Sequence, residues 1–134
     1  MKTTFGHLQF NVDPKNFQFY KDLLIFLGWK LIHDDEKMVA FVHATGYSLW
    51  FLPKTKSTEN DYDGPGLNHL GFHTSALSDV DETCQFLKEK GISALFDTPR
   101  HRPEFSGDPT HTYYQVMFKS PDKILFEVVY IGPK

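Results

Sequence analysis

The sequence predicts an α+β protein built from two βαβββ modules, each a cupped, largely antiparallel sheet with its helix on the outside. Three observations lead there. The segment His7-Leu8-Gln9-Phe10-Asn11-Val12 returns as His69-Leu70-Gly71-Phe72-His73-Thr74. An amphipathic stretch follows each copy and stops at a glycine, Gly28 in the first and Gly91 in the second. The pattern then shifts to short strand-like runs separated by turn residues. Residues 1–53 form the first module, 54–66 a linker and 67–134 the second, all within one domain.

In the first module, Phe5 to Val12 alternates His7, Gln9 and Asn11 against Leu8, Phe10 and Val12, the period of a strand. Asp13-Pro14 starts a helix, with Asp13 able to cap it and Pro14 tolerated in its first turn. Phe17, Tyr20, Leu23, Leu24 and Leu27 follow at helical spacing, and Gly28 is the stop. Trp29–His33, Met38–His43 and Tyr47–Leu52 read as strands, with turns at Asp34-Asp35-Glu36 and Ala44-Thr45-Gly46. Pro53 to Gly66 is polar and joins the modules.

The second module repeats the order. Leu67–Ser75 is a strand, and Ser78-Asp79 opens a helix with an inward stripe of Val80, Thr83, Cys84 and Leu87. Gly91 ends it, Ile92–Phe96 is a strand, and His111–Lys119 with Ile124–Ile131 makes a hairpin around Ser120-Pro121-Asp122-Lys123. Asp97 to Thr110, carrying three prolines and two arginines, is expected to be a long irregular insertion. Loops of that length are usually functional or disordered.

A chain of 134 residues can bury roughly two-thirds of its unfolded surface without staples. Thirteen Phe, six Tyr and two Trp suit strands and aromatic-lined pockets. The single Cys84 excludes an intrachain disulfide and is expected to be an inert helix thiol. A net charge of -3 with no Lys/Arg run gives nucleic acid no electrostatic footprint, and no segment approaches ~18 consecutive apolar residues, so no membrane partner is expected. A cytoplasmic protein is the expectation.

The repeat also carries the chemistry. Packing about a pseudo-twofold axis would bring His7 and His69 to one cavity from opposite sides. Gly46 and Lys123 occupy equivalent turns, so Trp50 aligns with Glu127. Glu127 is the odd residue, set among Ile124, Leu125, Phe126, Val128, Val129 and Tyr130. An ionised carboxylate in such a strand costs several kcal/mol unless paired or metal-bound. Two imidazoles and one carboxylate fit a facial metal triad that leaves open positions for substrate oxygens. The plainer alternative is that the histidines only form hydrogen bonds and Glu127 pairs with Arg100 or Arg102. His33, His43, His101 and His111 lack the symmetry and are expected at the surface or in loops. His73 shares the face of His69 and is expected to line the pocket, with Trp50 as a wall.

At these residues the chain resembles the vicinal oxygen chelate superfamily, the glyoxalase, bleomycin-resistance and extradiol-dioxygenase group. His7-Leu8-x-Phe10-x-Val12, Phe19-Tyr20-Lys21-Asp22-Leu23-Leu24 and Leu27-Gly28-Trp29 resemble its first-module signature. Asn68-His69-Leu70-Gly71-Phe72 resembles the opening of the second, and Ser120-Pro121-Asp122-Lys123-x-Leu125-Phe126-Glu127 its closing motif. The resemblance implies that His7, His69 and Glu127 hold a divalent metal ion, one of Zn, Mn, Fe, Ni or Co. It implies a small oxygen-chelating substrate oriented by Asn11, Trp50, His73, Tyr113 and Gln115, and a lyase, isomerase, thiol transferase or dioxygenase activity. Trp50 departs from glyoxalase I, which carries a fourth ligating side chain there. No single residue stands out as a general base. The alternative is a metal-free module of the bleomycin-resistance type that sequesters a small molecule. A homodimer is expected, with Arg100, His101 and Arg102 of the long insertion placed to meet an anionic substrate group.

Overall fold

The computed structural model describes residues 1–134. The chain divides into two compact units, Met1–Glu59 and Asn60–Lys134. Each has a four-stranded mixed sheet and one α-helix, so the α+β class and the doubled βαβββ order both hold.

The first unit holds β1 (His7–Val12), α1 (Phe17–Phe26), β2 (Lys30–Asp34), β3 (Val39–Val42) and β4 (Ser48–Pro53), in the sheet order β1-β4-β3-β2. Asp13 accepts a hydrogen bond from the Lys15 backbone and Pro14 opens a single 3-10 turn, so α1 begins one turn later than the proline suggests. Gly28 takes φ 84°, a left-handed conformation that an L side chain would strain, and it ends the helix segment. Buried Tyr20, Leu23 and Leu24 of α1 pack on the sheet face carrying Phe10, Phe41 and Phe51. Phe51 stacks on Tyr20 with ring centroids 4.4 Å apart and on Phe10 at 5.0 Å. This aromatic stack is the centre of the unit's core.

The second unit holds β5 (His69–Thr74), α2 (Leu77–Glu89), β6 (Ala94–His101), β7 (His111–Lys119) and β8 (Leu125–Pro133), in the order β5-β8-β7-β6. The Asp79 carboxylate accepts from the Ala76 backbone at 3.0 Å and fixes the start of α2. Val80, Thr83 and Leu87 are buried along the expected stripe, and Gly91 closes the helix at φ 70°. Cys84 is half-buried, and burial first, then the Asp81 charge, raises its thiol above the ordinary value. That suits a packing residue and not a nucleophile.

One expectation needs correction. The segment from Asp97 is not irregular throughout, because β6 continues to His101. Phe96 and Asp97 adopt φ 58° and 57°, which shifts the register, after which Arg100 pairs with Gln115 and His101 with Tyr114. Thr98 bridges the gap, its hydroxyl donating to the Leu95 carbonyl and accepting from the Met117 backbone. Pro99, read as a loop signal, sits beside this bulge, where a missing N–H does no harm. His101 is therefore a strand residue, bonded to the Thr112 hydroxyl and tilted against Tyr114 at 4.6 Å. The irregular part shrinks to Arg102–Thr110.

Both sheets share one departure from a simple meander. The first and fourth strands of each unit run parallel, His7 opposite Ser48 and Gln9 opposite Trp50 in the first, His69 opposite Leu125 and Gly71 opposite Glu127 in the second. The alignment of Trp50 with Glu127 is thus reproduced by strand register. No helix of the protein is long and apolar enough to cross a membrane.

Candidate functional site

The second unit uses the two faces of its sheet differently. Alternation on β8 turns Phe126 and Val128 to α2 and leaves Leu125, Glu127 and Val129 for the opposite face. On β7 the same rule sends Tyr114 to the helix side, where its hydroxyl donates to Asp81 at 2.8 Å, and Tyr113, Gln115 and Met117 to the other. That other face floors a cavity of about 590 Å³ lined by Tyr62, Asp63, Asn68, His69, Phe96, Arg102, Phe105, Tyr113, Gln115, Met117, Leu125 and Glu127.

Glu127 is 5% exposed and holds its place through two neighbours. The Tyr113 hydroxyl donates to Oε1 at 2.8 Å. Burial, and then this bond, push the Tyr113 phenol up to about 12, so it stays a neutral donor. The other carboxylate oxygen, Oε2, lies 3.4 Å from His69 Nε2. Room for it comes from Gly71, the β5 partner of Glu127, where an added Cβ would stand 3.1 Å from Oε2. An isolated glycine in a strand marks such a close approach.

The orientation of His69 is fixed from behind. The Asn68 side-chain amide donates to the Tyr62 carbonyl at 2.9 Å, which leaves Asn68 Oδ1 as an acceptor. His69 Nδ1 lies 2.7 Å from that oxygen and must carry the proton. In the neutral ring, Nε2 therefore presents a lone pair toward Glu127 Oε2. Two acceptors facing each other at this distance call for a proton or a metal cation between them. Backing a ligand histidine with an amide or carbonyl acceptor is how proteins orient imidazole toward a metal.

The structure brings together His69, Glu127, Tyr113 and Gln115 of the residues singled out in the sequence. Gln115 is 2% exposed and its Nε2 has no hydrogen-bond partner. His73 is exposed on β5 and is absent from the cavity lining. His7 and Asn11 are exposed on β1 of the first unit, and half-buried Trp50 donates from Nε1 to the Ser48 hydroxyl at 2.9 Å. No third His, Cys, Asp or Glu joins His69 and Glu127 to make a ready cluster. The ion pair weighed for Glu127 with Arg100 or Arg102 does not form; Arg102 binds Glu104 instead.

Sequence reasoning missed three contributors. Asn68 orients His69, and its signal was an amide immediately before a candidate ligand. Gly71 makes the notch, and its signal was a glycine where the first repeat has Gln9. Phe105, reached only through the fold of the irregular segment, packs edge-on against Tyr113 at 5.5 Å and walls the cavity.

Comparison with known proteins agrees with this architecture. A crystal structure of a candidate glyoxalase from Bacillus halodurans superimposes with a TM-score of 0.77, at 29% identity over 94% of each chain. The fosfomycin resistance protein FosX from Listeria monocytogenes, crystallised with Mn(II) and sulfate, shares the fold with a TM-score of 0.70. Its identity is 21%, over 98% of this chain and 93% of that one. The uncharacterized protein YqjT of Bacillus subtilis is 39% identical over 64 residues, which span 48% of this chain and 46% of that protein. The match thus covers about half the length of that relative. The model of the Glyoxalase/Bleomycin resistance protein/Dioxygenase superfamily matches residues 4–128, and with the doubled βαβββ fold this places the chain in that superfamily.

Proposed function

We propose that the chain is a metal-dependent enzyme that binds a small substrate through neighbouring oxygens, with His7, His69 and Glu127 as the protein ligands of a divalent cation. The observation that carries this reading is the approach of His69 Nε2 to Glu127 Oε2 at 3.4 Å, with Asn68 Oδ1 holding the ring at Nδ1 from the other side. The Gly71 notch and the Tyr113 bond leave that carboxylate oriented, with a hydrogen bond on Oε1 and Oε2 turned to His69. His7 enters as the repeat equivalent of His69, supplied by this chain or by a second copy in a homodimer. A divalent cation at this point would act as a Lewis acid on substrate oxygens. Of the residues proposed to orient the substrate, Tyr113 and Gln115 line this cavity, whereas Asn11, His73 and Trp50 lie outside its lining. Exposed Ile25, Phe26 and Ile32 favour the homodimer.

The donor set is mixed nitrogen and oxygen and suits Zn, Mn, Fe, Ni or Co. Calorimetric titration of tag-free protein with Mn(II) and Zn(II) tests it. One site per chain is expected, weakened at least about a hundredfold in Glu127→Gln and in His69→Ala. Unchanged metal affinity in both variants would remove the ligand assignment. The second reading, a metal-free sequestering module, is favoured by the aromatic walls Tyr62, Phe96, Phe105 and Tyr113. It gains if no divalent ion binds while a planar organic molecule does.

A further inference from the structure

The same cavity contains two polar groups that a metal does not use. Gln115 Nε2 is a buried donor with no partner, and Arg102 lines the opening from the segment that follows β6. An unsatisfied buried donor costs about 1–3 kcal/mol, so its retention in a cavity wall calls for an acceptor that arrives with the ligand. Arg102 is held in three ways. Its backbone N–H donates to the Tyr113 carbonyl at 2.7 Å, its Nε donates to Glu104, and its guanidinium lies over the Phe105 ring at 4.7 Å. The last two contacts occupy Nε and one face of the guanidinium and leave the two terminal amino groups for a ligand. An edge of that kind suits a planar carboxylate or another oxyanion.

The spacing sharpens the ligand. Arg102 stands beside Tyr113 on the sheet, two residues from Gln115 along β7, so a ligand serving both must span roughly 7 Å. Between them the walls are apolar and aromatic, with Phe96, Phe105 and Met117. Asp63 also lines the rim and is exposed; it opposes an anion there but is screened by water.

Resting on the reading of this cavity as the small-molecule site, we infer that its ligand is an organic anion with a flat apolar body. Its charged end meets Arg102, and a neutral oxygen acceptor about one ring system away meets Gln115. Both are specificity-determining residues that touch the ligand and not the metal.

The probe is 6-hydroxy-2-naphthoate, fluorescent and of suitable span, compared with its neutral carboxamide, on protein with and without added Mn(II). Naphthoate is expected to bind about tenfold more tightly than the amide, and Arg102→Met to remove that advantage. Gln115→Leu carries a signature that a purely structural role would not give. Its melting temperature should rise, because an orphaned donor is gone, while naphthoate binding weakens about threefold or more. Equal binding of acid and amide, or acid binding untouched by Arg102→Met, overturns the inference, as does no detectable binding of the acid. The metal reading is judged separately. Naphthoate discrimination by Arg102 in a protein that takes up no Mn(II) would sink the metal site and leave the anion site standing. Stoichiometric Mn(II) without that discrimination does the reverse.

Discussion

The two units are the same scaffold put to opposite uses, and one row of side chains shows how. In the first unit the row reads Gln9, Trp50, Ala40 across β1, β4 and β3; in the second it reads Gly71, Glu127, Met117 across β5, β8 and β7. The large indole is held against its own strand by a bond to Ser48. In the second unit the neighbouring side chain is deleted, and the space receives an acid. The next row is the converse. Phe10 lies opposite Phe51 in the first unit, and Phe72 opposite Val128 in the second. The first unit centres its rings on Phe51, whereas the second centres them two residues earlier along the fourth strand, with Phe72 and Phe118 flanking buried Phe126 at 6.0 and 5.7 Å. Duplication supplies the framework, and divergence at a few register positions decides which half carries a buried charge.

The largest effect should come from breaking the first unit's core. Phe51 is fully buried and touches three rings, so Phe51→Ala should cost about 3–5 kcal/mol. Its counterpart Val128, equally buried, removes only two methyl groups when changed to Ala and should cost about 2 kcal/mol. Urea unfolding of both variants checks the pair. Equal losses would mean that the two cores are not built around different anchors.

Gly71→Ala makes the second unit more like the first. The new Cβ would meet Glu127 Oε2 at 3.1 Å, so the carboxylate must yield by a few tenths of an ångström. Alanine is otherwise the better strand residue, so stability should change by less than about 1 kcal/mol. Mn(II) affinity, read by calorimetry, is expected to drop about tenfold because the oxygen facing His69 is the one displaced. Unaltered affinity would show that the notch is unrelated to any ligand.

The fold was legible because its signals are periodic and repeated. Alternation at His7 to Val12, glycine stops at Gly28 and Gly91, and equivalent turns at Gly46 and Lys123 are each local, and each recurs where the repeat requires it. The pairing of Trp50 with Glu127 positions followed from counting within that frame. What was not legible depends on side chains that meet only after folding. No pattern announces that Asn68 turns one nitrogen of His69 inward, or that Tyr113 reaches Glu127. The continuation of β6 was hidden for another reason. Phe96 takes a left-handed backbone angle that its residue type does not advertise, Asp97 follows it there, and Pro99 then reads as a loop.

Tyr114 tests the helix side of the second sheet, where a phenol bonds to the helix, against the first unit's core of aromatic and aliphatic side chains. Burial first, and then the bond to Asp81, push its phenol up to about 12. A folded value above the unfolded one near 10 means that its contribution is complete below pH ~10 and is lost as pH rises through 12. Tyr114→Phe should cost about 1 kcal/mol at neutral pH and flatten the decline in stability between those limits. Phenolate absorbance during an alkaline titration, with thermal melts alongside, measures both. Tyr113, raised to the same value, keeps part of the decline; a Tyr114→Phe protein whose decline over this window is as steep as the parent's would assign the whole of it to Tyr113 and other groups.

The smallest effect should come from the turn before the fourth strand. In the first unit it is made by Gly46 at φ 92°, and in the second by Lys123 at φ 62°. A lysine there carries the steric penalty of the left-handed region, of order 1–2 kcal/mol, which glycine avoids. Against that, glycine enlarges the unfolded ensemble by about 0.5–1 kcal/mol. The turn itself is kept by backbone bonds that either residue can make, from Lys123 N–H to the Ser120 carbonyl at 2.9 Å and from the Asn60 amide to the Lys123 carbonyl at 3.0 Å. Lys123→Gly should therefore stabilise the protein by about 0.5 kcal/mol without altering metal or ligand binding, because the turn lies outside the cavity lining. Urea midpoints at constant m-value resolve a shift of that size. A clear destabilisation would mean that the lysine side chain holds the entry of β8, and that the two units differ in how they position their fourth strand as well as in what it carries.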